Sequence, residues 1–219
     1  EIFGQNTALN IVTLNRIGTD KDGTDSIPNG NAGGGEHAGV RIVSTAYANV
    51  IGPLNLISGN NKIATDDGVD VDTGTVLFPN FIVGNAIGIG ASPAADVGNG
   101  GSGIVTDTRP EQDGTQPDNP TNYSLFIVGN VISDNKGANN NGAPDNGNGP
   151  NAGISITGTS RRVKVMTNFI GLGKFGPTAE LSLDYGNAGE GIFISTPDHE
   201  IGGSSEAEFN VITGNKRHG

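Results

Sequence analysis

Cysteine is missing from this 219-residue chain. That excludes disulfides, thiolate nucleophiles and cysteine-based zinc sites. Tryptophan is missing too, and only 33% of the residues are hydrophobic, too few to fill a wide two-layer core. Positive charge is scarce: 12 Lys and Arg stand against 23 Asp and Glu, for a net charge of -11. Such a chain repels phosphate backbones, so no nucleic-acid partner is expected. No apolar run approaches the roughly 18 residues of a membrane span. The chain opens on Glu1, with no starting Met and no signal peptide, which predicts processing or excision from something longer.

Two residue types are abundant. Gly (37) and Asn (26) together make up more than a quarter of the chain. Low apolar content with excess charge borders on the composition of disordered chains. Here, however, the apolar residues are gathered into short Val/Ile words set between turn formers, which is a strand signal. "GVRI" (39–42), "GVDV" (68–71), "GISI" (153–156) and "GIFI" (191–194) alternate. Alternation puts Val40 with Ile42, Val69 with Val71, Ile154 with Ile156 and Ile192 with Ile194 on one face, pointing into a core. The Gly before each word is expected to turn the chain with a positive φ. Asn is expected at corners, where it tolerates the left-handed conformation and bonds nearby backbone. Asn residues stacked at successive corners would join their amides into a ladder.

The words recur in three long units. They start at Asn15, Asn85 and Asn168, about 70 and 83 residues apart, each with Asn-x-Ile-Gly. Each then passes a Gly-rich loop ("GNAGGG" 30–35, "GNGGSG" 98–103, "GNAGEG" 186–191) and a short apolar word. Each closes on "LNLISGN" (54–60), "VGNVISDN" (128–135) or "FNVITGN" (209–215). Variable loops between constant strand words are the mark of a solenoid. "GNGGSG" also satisfies a dinucleotide-binding pattern, but no helix follows it, so the match is accidental. The polar stretches 108–122 and 133–153 read as loops between turns of the coil.

The words "NFIG…GNAGEGIFI…IGG…FNVITGN" resemble the right-handed parallel β-helix repeats of bacterial surface and secreted proteins, with a pectate-lyase-like architecture. The resemblance implies an all-β, right-handed parallel β-helix forming a single domain over 1–219, with about eight to ten rungs of 20–25 residues. Polysaccharide lyases, hydrolases, epimerases, tailspikes and adhesins share that architecture, so it does not choose a function. It implies an extracellular or cell-surface location. Neither end carries a sequence that would cap the coil, which predicts continuation into flanking repeats or end-to-end stacking on copies of itself as a filament.

Two acidic stretches are the candidate sites. In "TDDGVDVD" (65–72), inward Val69 and Val71 would leave Asp70 and Asp72 outward, about 7 Å apart. With Asp66 and Asp67 they form an acidic face suited to calcium or to acid/base work on a glycan. The resemblance to β-helix hydrolases rests on the Asp66-Asp67 pair alone, because their Gly-His-Gly word is absent. Lyases of this architecture use an Arg or Lys base, which Arg161, Arg162 or Lys164 could supply. In "DKDGTD" (20–25), Asp20, Asp22 and Asp25 have the spacing of calcium ligands around a turn at Gly23. Tyr47, Tyr123 and Tyr185 fall where they could stack on sugar rings. The reading favoured by the whole sequence is a non-catalytic structural or adhesive β-helix that requires no cofactor, with surface polysaccharide as a second partner class. The alternative is a glycan-active lyase, hydrolase or epimerase.

Overall fold

The computed structural model describes residues 1–29, 37–60, 66–92, 95–110, 122–136, 151–172 and 185–219. The chain winds as successive turns of three short strands each. The first turn is β1 (Ile2–Phe3), β2 (Ile11–Val12) and β3 (Arg16–Ile17); the second is β4 (Ala38–Val43), β5 (Val50–Ile51) and β6 (Leu56–Ile57). The third is β7 (Asp67–Val76), β8 (Asn80–Val83) and β9 (Ala86–Ile87); the fourth is β10 (Ile104–Pro110), β11 (Leu125–Val128) and β12 (Val131–Ile132). The fifth is β13 (Ile154–Ile156), β14 (Val163–Met166) and β15 (Phe169–Ile170), and the sixth is β16 (Ile192–Ile194), β17 (Glu200–Ile201) and β18 (Val211–Ile212). Each strand pairs with the equivalent strand one turn away. The result is three six-stranded sheets: β1-β4-β7-β10-β13-β16, β2-β5-β8-β11-β14-β17 and β3-β6-β9-β12-β15-β18. Every strand pairing is parallel. This is a parallel β-helix, as the repeat words predicted.

The turn count corrects the sequence reading. Six turns, not eight to ten, lie among the described residues. Register explains the difference, because Ile57 to Ile87 consumes 30 residues and Ile87 to Ile132 consumes 45. Loops lengthen each turn beyond the bare 20–25, so each unit seen in the sequence spans two turns.

The core is a narrow spine of stacked aliphatic residues. In the third sheet Ile17, Ile57, Ile87, Ile132, Ile170 and Ile212 stand in register, one per turn. Opposite them run Val40, Val69, Ile104, Ile154 and Ile192, and Ile51, Ile82, Ile127 and Val165. The interior members are fully buried, each worth about 1.5–3 kcal/mol of transfer free energy. All four Val/Ile word pairs lie on the inward row as the alternation predicted, although on the sixth turn Ile192 is only partly covered and Ile194 is exposed.

The corners are held by amides. Asn15, Asn55, Asn85, Asn130, Asn168 and Asn210 form one ladder, each Nδ2 donating to Oδ1 of the next at 2.9–3.1 Å. Asn29, Asn60, Asn99, Asn135, Asn187 and Asn215 form a second, at 2.7–3.0 Å. Asn10, Asn49 and Asn80 begin a third, at 2.9 and 3.1 Å, which gives way to a backbone bond at Ser124. Buried amides fully joined in this way stabilise a polar seam inside the coil.

Two expectations about the corners need correction. The ladder Asn residues do not take the left-handed conformation. In the first ladder the residue before five of the six does: Leu14, Leu54, Gly84 and Gly129 have φ between 60° and 65° and Thr167 has 57°, whereas Phe209, before Asn210, is extended at φ -68°. Nor do the glycines before the first-sheet strands have positive φ. They are glycine because of close approach. A Cβ on Gly103 would lie 2.5 Å from the Ile132 Cγ2 and 2.8 Å from the Asn135 Nδ2, and Gly39, Gly68, Gly153 and Gly191 each meet the equivalent Ile and ladder Asn.

Candidate functional site: outer faces and end turns

β7 carries the acidic stretch on the first sheet. Val69 and Val71 are inward, and Asp70 and Asp72 alternate with them on the outside, as predicted. Asp70 is nonetheless buried, because Arg41 on the neighbouring β4 covers it and donates from Nε to its carboxylate at 2.6 Å. Asp72 is exposed and lies beside Asp107 of β10. The Asp107 carboxylate in turn accepts from the Thr159 backbone N–H and hydroxyl, both at 2.7 Å. Asp67 accepts from the Ser102 N–H at 2.7 Å. Asp66 is fully buried at the foot of the strand, where its carbonyl accepts from Gly101. The carboxylates of this stretch therefore do two jobs: Asp67 fixes a corner, and Asp70 forms an ion pair across turns.

The cations proposed to work with them stand on another wall. Lys164 lies on β14 in the second sheet, and Arg161 just precedes it. Arg161 pairs with Asp198 at 3.0 Å. Lys164 sits between Glu200 at 3.1 Å and Glu208 at 2.8 Å, with its ammonium 5.8 Å from the centroid of the Tyr123 ring. Arg162 is a corner residue, with φ 55° and its N–H donating to the Asp198 carbonyl. The structure thus gives Arg161 and Lys164 carboxylate partners from the sixth turn, on a different wall from Asp66–Asp72.

The Lys164 cluster is the strongest electrostatic feature that sequence reasoning missed. Hydrogen bonds from Lys164 and then Ser205 pull Glu208 down to about 2 from the ordinary 4.5. The Tyr123 hydroxyl, donating to Glu200, lowers the Glu200 carboxyl, and Lys164 adds to the effect. That same bond raises Tyr123, and Glu208 raises Lys164. Beside the cluster Phe81 and Phe126 stack face to face, 5.2 Å apart and 5° from parallel, with Tyr123 edge-on to Phe126 at 5.0 Å. Their signal was present in the sequence as "FIVGN" at 81–85 and again at 126–130. One face of each phenyl ring is taken up by the other. Tyr47 tilts against Phe78 at 5.9 Å.

The 20–25 loop is a closed turn. The Asp20 Oδ1 accepts from the N–H groups of Thr24 at 2.8 Å and Asp25 at 3.1 Å, and those bonds lower its pKa. Asp22 pairs with Lys21 at 2.6 Å. Gly23 stands at the turn with a positive φ, 73°. Among the described residues no three His, Asp or Glu side chains are grouped to hold a metal ion. No helix among them is long and apolar enough to cross a membrane. The loop "GNGGSG" (98–103) is a coil corner in which Asn99 is a ladder rung. The third-unit counterpart of the 20–25 loop, 173–178, the loop 30–35 and the polar tracts 111–121 and 137–150 lie outside the described residues.

The end turns differ from the interior. On the first turn Phe3, Leu9, Ile11 and Leu14 are exposed, and on the sixth Ile194, Ile201 and Phe209. In register two of these continue the buried stacks: Ile201 follows Val165, and Ile194 follows Ile156. A comparison with protein families, with curated proteins and with solved structures finds nothing that the chain matches.

Proposed function

We propose that this chain is a non-catalytic structural β-helix, a stiff rod segment that acts outside the cell or at its surface and extends by taking further β-helix turns on its end faces. One observation carries the reading. The aliphatic spine and the two long asparagine ladders run through all six turns and arrive at both ends with their bonding capacity turned outward. Parallel-strand edges and apolar rungs at an end are stabilised by another layer of the same kind. The cross-turn ion pairs fit the same role, since Arg41–Asp70 and Lys164–Glu200 each tie one turn to the next.

The discriminating experiment is a turnover screen on uronic-acid polymers and neutral glycans, with and without calcium. A structural rod gives no product in either condition. Product formation that is lost in Asp72→Asn overturns the reading in favour of a glycan-active enzyme working on the first-sheet face. Retention of the chain on insoluble polysaccharide without product supports an adhesive role on the same rod.

A further inference from the structure

The coil has a two-turn period that its ladders make directional. In the third sheet the residue after the stacked Ile alternates: Gly18, Ser58, Gly88, Ser133, Gly171, Thr213. Each of these glycines has φ near 88° and lies against the carbonyl of the Ser or Thr one turn on, leaving no room for a Cβ. Each interior Ser hydroxyl in turn reaches forward into the next glycine-type turn. Ser58 donates to the Ile89 carbonyl at 2.8 Å and Ser133 to the Leu172 carbonyl at 2.7 Å, in both cases the residue just after the glycine. The ladders run the same way. At Asn85, Asn130 and Asn168 both the N–H and the Nδ2 donate to Oδ1 of the following Asn.

The first turn is therefore of the glycine type, and the sixth is of the Ser/Thr type. Resting on the structural reading above, we infer that a second copy of this chain docks head to tail, its first turn on this copy's sixth, in the register the interior already uses. Asn210 then donates from N–H and Nδ2 to the Oδ1 of the second copy's Asn15, and Asn215 donates to the Oδ1 of its Asn29. The Thr213 hydroxyl donates to the carbonyl of its Thr19, the residue after Gly18. Ile201 and Ile212 stack on its Val12 and Ile17. Face-to-face docking fails on the same chemistry. Two sixth turns would set asparagine donors against donors, and two first turns would set Oδ1 acceptors against acceptors. A contact between two unlike faces does not close on itself, so it propagates as a fibre. The third corner carries His199 where the other two carry Asn, its Nδ1 accepting from the Val163 N–H at 3.2 Å, so two corners set the register.

The test uses two variants of the full chain in sedimentation velocity. Ile201→Lys blocks only the sixth-turn face and Val12→Lys only the first-turn face. A lysine at an open end keeps its ammonium in water, whereas docking would bury it. The unaltered chain is expected to grow with concentration into species of increasing mass, seen as rods by negative stain. Each variant alone stays monomeric, and an equimolar mixture stops at a dimer. Self-dimerisation of either variant, a monomeric mixture or an unaltered chain that stays monomeric overturns the inference. Thr213→Val, which removes one exposed hydroxyl, keeps the test decisive if a lysine variant loses its β spectrum. It should weaken association about fivefold to tenfold, and unchanged association overturns the register. Glycan turnover would sink the structural reading while leaving the docking result to stand by itself.

Discussion

At the scale of single residues, the ladder asparagines and the corner before them answer to different physics. Asn85 is fully buried, accepts from Asn55 at 2.9 Å and donates to the Ile51 carbonyl at 2.8 Å and to Asn130 at 3.0 Å. Asn85→Leu would leave one Asn55 Nδ2 proton unpaired away from water, the other still on the Val12 carbonyl, and remove the amide bond to the Ile51 carbonyl, at a cost of about 2–5 kcal/mol. The same change at exposed Asn15 should cost well under half of that, because water replaces the lost partners; urea unfolding of both variants measures the difference. The corner residue is a matter of backbone strain. Leu54 is exposed and held at φ 63°, where Gly84 and Gly129 stand one and two turns on. Leu54→Gly should gain about 1 kcal/mol, and Gly129→Ala should lose about as much although nothing lies within 4 Å of the added Cβ. A rise in thermal midpoint for the first and a fall for the second would confirm that conformation, not packing, sets these positions. The recurrence of Asn in the sequence was enough to read the ladder. That the left-handed residue sits one place earlier was not legible, since Leu14, Leu54 and Thr167 have no turn propensity to give them away.

At the scale of elements, the strands were legible because alternation of Val and Ile follows from a two-residue repeat. The partners of the charged outer positions were not, because they come from strands about 30–45 residues away. Arg41 meets Asp70 and Lys164 meets Glu200 only once the register is known. Asp66–Asp72 was one of the acidic stretches the sequence displayed, yet the most strongly lowered carboxyl is Glu208, in the serine-rich turn 204–208. The 3-10 turn Glu206–Glu208 is fastened by the Glu208 carboxylate, which takes Lys164 at 2.8 Å and the Ser204 and Ser205 N–H groups at 3.1 Å. Its folded value, about 2, lies below the ordinary 4.5. Its contribution is therefore in place above about 4.5 and is lost as the pH falls through about 2. An NMR titration of the Glu208 side-chain carboxyl should give a midpoint near 2, and Lys164→Met should move it back toward 4.5. An unmoved midpoint in that variant would mean that the serine bonds alone hold the turn.

At the scale of the whole molecule, stability is the sum of neighbouring turns. Strand pairing joins each turn only to the one before and the one after, and loop contacts such as Tyr123 to Glu200 and the Ala91 N–H to the Gly23 carbonyl add a few links across a turn, so the coil behaves nearly as a one-dimensional stack. The middle turns are bonded on both sides and the end turns on one, and the burial of the third-sheet isoleucines follows that order, with Ile57, Ile87, Ile132 and Ile170 fully covered and Ile17 and Ile212 only partly. Hydrogen exchange on the dilute chain should show the slowest amides in β6, β9 and β12, with protection falling toward β1–β3 and β16–β18. Docking changes that profile in a way that folding of one copy cannot. If first and sixth turns close on each other, raising the concentration should slow exchange at both ends together and leave the middle turns as they were. The net charge of -11 opposes that step, and screening by salt, with a Debye length of about 8 Å at physiological ionic strength, should favour it. Slowing at one end only would point to like faces meeting, which the direction of the asparagine donors forbids, and slowing in the middle would mean that the turns do not act as a nearest-neighbour stack.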